Sequence, residues 1–142
     1  MGLVLDASAA IAWFVQRSDR REATLADQIL TQVELEEALV PALWFTEVLN
    51  GVLTAERLKQ SDSRKTASFL GELAAMPIVE DSVRPRFAQD DVLELGRKYK
   101  LTAYDATYLE LALRTRRTLA TFDRQLADAT RKAGGRVFGD RP

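Results

Sequence analysis

The chain contains no histidine and no cysteine. Without cysteine there is no disulfide, no thiolate zinc site and no cysteine nucleophile. Without histidine there is no Ser-His-Asp triad, no imidazole general base and no imidazole metal ligand. These two absences remove many common enzyme classes. A basic excess is missing as well: Lys and Arg number 20 against 21 Asp and Glu, for a formal net charge of -1. Any nucleic-acid partner is then expected to be held by a local patch or through metal, not by global charge. No apolar run approaches the ~20 residues of a membrane span. Residues 1–6 lack the basic start of a signal peptide and reach an acid early. Cytoplasmic residence, away from any membrane, is the expectation. No glycine-rich phosphate loop points to a kinase or nucleotidase.

What is present is a 142-residue chain, 46% hydrophobic, enough for one sizeable core. Residues 1–142 are read as a single domain, with no repeat, low-complexity tract or linker. The apolar run over residues 2–6 predicts a short buried strand, and 7–15 a helix. Charges alternating with Leu25, Ile29, Leu30 and Val33 predict an amphipathic helix over 20–37. Residues 38–40 form a second strand, and Pro41 can open a long helix over 42–59. A polar break at 60–63 precedes a helix over 64–76, with Phe69, Leu70 and Leu73 inward. A third strand is expected over 77–80, helices over 85–100 and 103–116, and a fourth strand over 118–122. A last helix spans 124–132, closed by Gly134-Gly135, and 136–138 is a candidate edge strand. Strands alternating with helices argue an α/β fold: a short, mainly parallel central sheet flanked by helices in three layers. Ligands of such sheets bind beyond the C-terminal strand ends.

Four carboxylates stand where an acid is locally out of place. Asp6 ends the first apolar run, at the ligand-binding end of its strand. Its plain alternative is an N-cap, helped by Ser8. Glu47 interrupts Leu43-Trp44-Phe45-Thr46-Glu47-Val48-Leu49. At ~100° per residue, Thr46, Glu47 and Asn50 share one narrow stripe with no Lys or Arg before Arg57. The stripe is either the solvent face or, since a helix this apolar should be mostly buried, the wall of a cavity. Asp105 follows Thr102 in a capping-box pattern but aligns with Tyr108, Leu109 and Ala112 on the inward face. Asp123 follows the apolar run 119–122; it reads as an N-cap, with the Thr121 hydroxyl nearby. Three acids at helix starts bring three partly positive helix N-termini to whatever they surround. Carboxylates taken out of water repel one another unless a cation sits among them. An all-carboxylate site suits a hard cation such as Mg²⁺ or Mn²⁺. Without metal, crowding should raise proton affinity, so activity should fall in acid.

The four segments, taken in order, resemble the PIN-domain ribonucleases, and among them the VapC-type toxins of toxin–antitoxin pairs. Leu5-Asp6-Ala7-Ser8-Ala9-Ala10 is similar to the opening motif. Pro41-Ala42-Leu43-Trp44-Phe45-Thr46-Glu47-Val48-Leu49-Asn50 is similar to the second, 101–112 to the third, and Leu119-Ala120-Thr121-Phe122-Asp123-Arg124-Gln125-Leu126 to the last. The resemblance covers nearly the whole chain; residues 57–100 carry no signature. It implies that Asp6, Glu47, Asp105 and Asp123 are the acidic catalytic residues, with Ser8, Asn50 and Thr121 as polar partners behind them. Asp6, Asp105 and Asp123 would hold one or two Mg²⁺ or Mn²⁺ ions, and Glu47 would bind a second ion or orient the attacking water. The implied reaction is hydrolysis of RNA, structured RNA such as tRNA among the candidates, to 5′-phosphate and 3′-hydroxyl ends. The implied partners are a cognate antitoxin that covers the acidic site and a second copy of the chain in a homodimer.

Arg114, Arg116, Arg117 and Arg124, with Arg131 and Lys132 beyond, are candidates for a phosphate track; ordinary solvated helix surface is an equal reading. Leu25, Ile29, Val33, Leu53 and Leu58 fit either a partner groove or core packing. A receiver-type signalling domain would need adjacent acids after the first strand and a later lysine, and neither is present. A carboxylate-lined binding module and a DNA-directed nuclease are the remaining alternatives.

Overall fold

In the computed structural model, which describes residues 2–141, β1 (Leu3–Leu5) occupies the interior of the sheet, and all three of its side chains are buried. A strand covered on both faces has to be apolar at consecutive positions, as Leu3-Val4-Leu5 is. Then come α1 (Ala7–Phe14), α2 (Arg20–Leu35), β2 (Ala38–Val40), α3 (Leu43–Arg57), α4 (Ser63–Ala74) and β3 (Ile78–Glu80). The chain closes with α5 (Pro85–Tyr99), α6 (Ala103–Thr115), β4 (Thr118–Ala120) and α7 (Arg124–Lys132). The strands form one sheet in the order β3-β2-β1-β4, every neighbouring pair parallel.

That order positions the site. From β1 the chain steps outward to β2 and then β3, and next crosses back over the sheet to β4 on the other flank of β1. The direction of winding therefore reverses between β1 and β4. A crevice opens beyond the C-terminal ends of the strands at such a reversal. Asp6 follows β1 there, and Thr121 and Asp123 follow β4. The ladder continues one residue past β1, where the Asp6 amide donates to the Ala120 carbonyl at 3.0 Å. Helices pack in two groups: α1 against α2 and α3, and α5 against α6, which also meets α7.

The predicted elements are all present, with ends shifted by one or two residues. The edge strand expected at 136–138 is a single parallel bridge between Val137 and Leu119. Gly134 takes a φ of +86° past α7, the left-handed turn that a glycine accommodates without steric cost. The exposure of α3 differs from expectation. Trp44, Val48, Val52 and Ala55 are buried, but Phe45, Leu49 and Leu53 face solvent, so the helix is not mostly buried. Its apolar residues cover two faces and only one meets the core. The proposed groove residues separate in the same way: Ile29 and Val33 are core, while Leu53 and Leu58 are 51% and 64% exposed. No helix among the described residues is long and apolar enough to cross a membrane.

Candidate active site

Asp6 stands at the N-cap position of α1, yet its side chain makes no capping hydrogen bond. Its Oδ2 accepts instead from Thr121 Oγ1 at 2.6 Å and Ser8 Oγ at 2.8 Å. A hydroxyl has one proton to give. Thr121 gives its proton to Asp6 and accepts from the Asp123 amide at 3.0 Å, while Ser8 gives its proton to Asp6 and accepts from the Phe122 amide at 2.9 Å. Two hydroxyls thus tie the end of β1 to the turn after β4, and both point charge-seeking protons at one carboxylate. Asp6 is only 6% exposed. Burial raises its proton affinity most; the two hydroxyls lower it, and nearby Asp123 raises it again.

Glu47 arrives from α3, half-buried, with Oε1 accepting from the Tyr108 hydroxyl at 2.6 Å. Burial raises its proton affinity, Tyr108 opposes the rise, and Asp6 and Asp105 add to it. Asp105 lies in the first turn of α6, whose N-cap Thr102 accepts from the Asp105 amide at 3.2 Å. Its carboxyl is pushed up to about 6 by burial first, then by Asp123 and Asp6. Asp123 caps α7, its Oδ1 accepting from the Leu126 amide at 2.9 Å. The N-cap reading of Asp123 is therefore met, and the same residue still repels Asp6 and Asp105.

The four acids thus sense one another. Among the described residues, no Lys or Arg forms an ion pair with any of them. No three carboxylates among the described residues close into a ready-made cation cage. The donor set is all hard oxygen, with no nitrogen or sulfur competitor. The residues therefore fit a hard divalent ion.

The other predicted residues divide. Ser8 and Thr121 bond Asp6. Asn50 is exposed, and among the described residues its bond is through its carbonyl, which accepts from Thr54 at 2.9 Å. The four arginines do not gather. Arg114 bridges Asp81 and the buried Glu110 at 2.6 and 2.9 Å. Arg117 pairs with Glu37 at 2.9 Å, just before β2 and β4 begin, so it and Arg116 lie at the end of the sheet opposite Asp6. Arg124 adjoins Asp123 and, with Arg21, lines a surface groove of about 540 Å³ beside it. Tyr108 was placed only on the inward face from sequence. The signal for a larger part was its i+3 spacing from Asp105, which puts both on one side of α6.

The PIN domain matches residues 3–132 of the chain. The chain belongs to the PIN-domain family. PIN domains are typically nucleases that act on nucleic acid and use divalent metal ions. Among solved structures, the chain is similar to PAE2754 from Pyrobaculum aerophilum, with 25% identity and a TM-score of 0.66, over 92% of this chain and 80% of that one. No curated protein matches it.

Proposed function

We propose that the chain is a divalent-metal-dependent endoribonuclease of the VapC type, a toxin held in check by a cognate antitoxin. The observation that carries this reading is the mutual repulsion among Asp6, Glu47, Asp105 and Asp123, with no Lys or Arg among the described residues ion-paired to them. Asp6, Asp105 and Asp123 would hold Mg²⁺ or Mn²⁺. When bound, such an ion supplies charge that draws a phosphate oxygen and makes a water more acidic.

The chain's own residues do the rest. Ser8 and Thr121 fix the Asp6 carboxylate, so it need not reorganise during the reaction. α1, α6 and α7 each begin beside one of the acids, and their partly positive N-termini would favour an incoming phosphate. Glu47 would bind a second ion, or orient the attacking water and take its proton. Arg124 is the best placed of the candidate RNA contacts, beside Asp123. The antitoxin would lay a cationic side chain among the four acids, supplying the charge the site lacks, and the toxin would be a homodimer in the cytoplasm. Sedimentation of the lone chain at micromolar concentration tests the dimer; a clean monomer overturns it.

The deciding experiment incubates the protein with structured RNAs and with DNA, in Mg²⁺, Mn²⁺ or EDTA, beside Asp6→Asn. Cleavage of RNA that needs metal and falls at least ~100-fold in the variant supports the reading. Preference for DNA favours the DNA-directed alternative. Metal binding without cleavage of either favours a binding module.

A further inference from the structure

We infer that Tyr108 is a positioning residue for the acidic site, its hydroxyl holding the Glu47 carboxylate in the crevice beside Asp6. This rests on the reading of the four acids as the reactive centre. Tyr108 is 0% exposed and belongs to the core cluster with Leu5, Val48 and Leu109. Its ring is therefore fixed by packing, and the hydroxyl is the only part with a polar task. The core would accept a phenylalanine of nearly the same volume, so burying the hydroxyl needs a partner that justifies it. That partner is Glu47, 61 positions away in sequence, at 2.6 Å. The Ala7 backbone at the start of α1 faces the same hydroxyl. The phenol thus sits where α6, α3 and the β1–α1 junction meet.

Glu47 needs such a tether. It rides on a helix face that opens to solvent, with Thr46 and Asn50 exposed on either side. Asp6 and Asp105 repel it. A glutamate has three rotatable bonds, and repulsion would swing it outward into water. One short hydrogen bond from a rigid donor removes that freedom. The bond engages Oε1 and leaves Oε2 without a bond to the phenol. Ser8 and Thr121 do the same for Asp6.

The test is Tyr108→Phe, read by Mn²⁺ binding (electron paramagnetic resonance of free Mn²⁺) and by RNA cleavage, with Glu47→Ala and the double variant alongside. The expected result is a thermal midpoint near that of the unaltered chain and Mn²⁺ affinity about 10–100-fold weaker, the usual range for loss of a group that orients a ligand. In cleavage, kcat falls with KM for RNA unchanged. In the Glu47→Ala background, Tyr108→Phe adds nothing further, because its target is gone. Tyr108→Phe that binds Mn²⁺ and cleaves like the unaltered chain, while Glu47→Ala does not, overturns the inference and leaves the site reading intact. A Tyr108→Phe chain that fails to fold makes the hydroxyl structural and also overturns it. If the unaltered chain binds no Mn²⁺, the site reading itself fails.

Discussion

Thr121 is the residue on which most of the site's order converges. Its hydroxyl donates to Asp6 and accepts from the Asp123 amide, so it joins two of the four acids. Thr121→Val keeps the shape and removes both bonds. Cleavage should fall ~10–100-fold with little change in RNA affinity, measured as kcat against KM. Asp105 sets a pH dependence. Its carboxyl, pushed up to about 6, holds a proton in the folded protein at pH values where the unfolded chain has lost it. The metal-free fold therefore gains from this group in acid and loses that gain as pH rises from about 4 through 6. A cation competes with the proton, so Mn²⁺ should bind more weakly at pH 5 than at pH 7.5; calorimetric titration at the two pH values checks this. Equal affinity at both would contradict the placement of Asp105. The acids themselves were legible in the sequence because each interrupts an apolar pattern. The Tyr108 bond was not, since a tyrosine on an inward face reads as core until its partner from another helix is known.

At the scale of elements, the close approach of α1 and α3 matters most, because α3 carries Glu47. Gly51 permits it: a Cβ there would lie 2.5 Å from Ile11 Cδ1. Gly51→Val should destabilise the protein by about 1–3 kcal/mol through overpacking, read from urea unfolding, and should lower cleavage by shifting Glu47. Arg114 serves α6 differently. It satisfies the buried Glu110 and holds the Asp81 turn after β3. It is partly exposed, so solvent screens the pair, and Arg114→Met should cost about 1 kcal/mol while RNA affinity stays unchanged. A large loss of RNA affinity would restore Arg114 as a phosphate contact. The strands were readable because each is a short apolar run bounded by turns or charge. The outward face of α3 was not, because Phe45, Leu49 and Leu53 carry no mark that separates core from surface.

For the whole molecule, convergence is the property that single motifs do not encode. Asp6 and Asp123 come together because β1 and β4 are neighbours, although 112 residues separate those strands' nearest ends in the chain. The parallel α/β pattern predicted that strand ends would share one side of the sheet. Which strands adjoin was not contained in the periodicity. A site whose acids repel one another is stabilised by whatever neutralises it. Saturating Mn²⁺, at about 100 times its Kd, should add about 2.7 kcal/mol at neutral pH. For a chain of this size that corresponds to a rise of several degrees in the thermal midpoint. Differential scanning fluorimetry reads it directly, and Asp6→Asn should reduce the shift.

The central position of β1 has a consequence for how the site breathes. The Asp6 amide, at the end of interior β1, is bonded to Ala120 of the edge strand β4, so its exchange with solvent deuterium should wait until β4 parts from β1. Asp105 stands on the first turn of α6 and Asp123 at the N-cap of α7, where the amides lean on single side chains, Thr102 for one and Thr121 for the other. Those ends can fray locally and exchange sooner. The four acids are thus expected to differ in local opening, the Asp105 and Asp123 amides exchanging before that of Asp6.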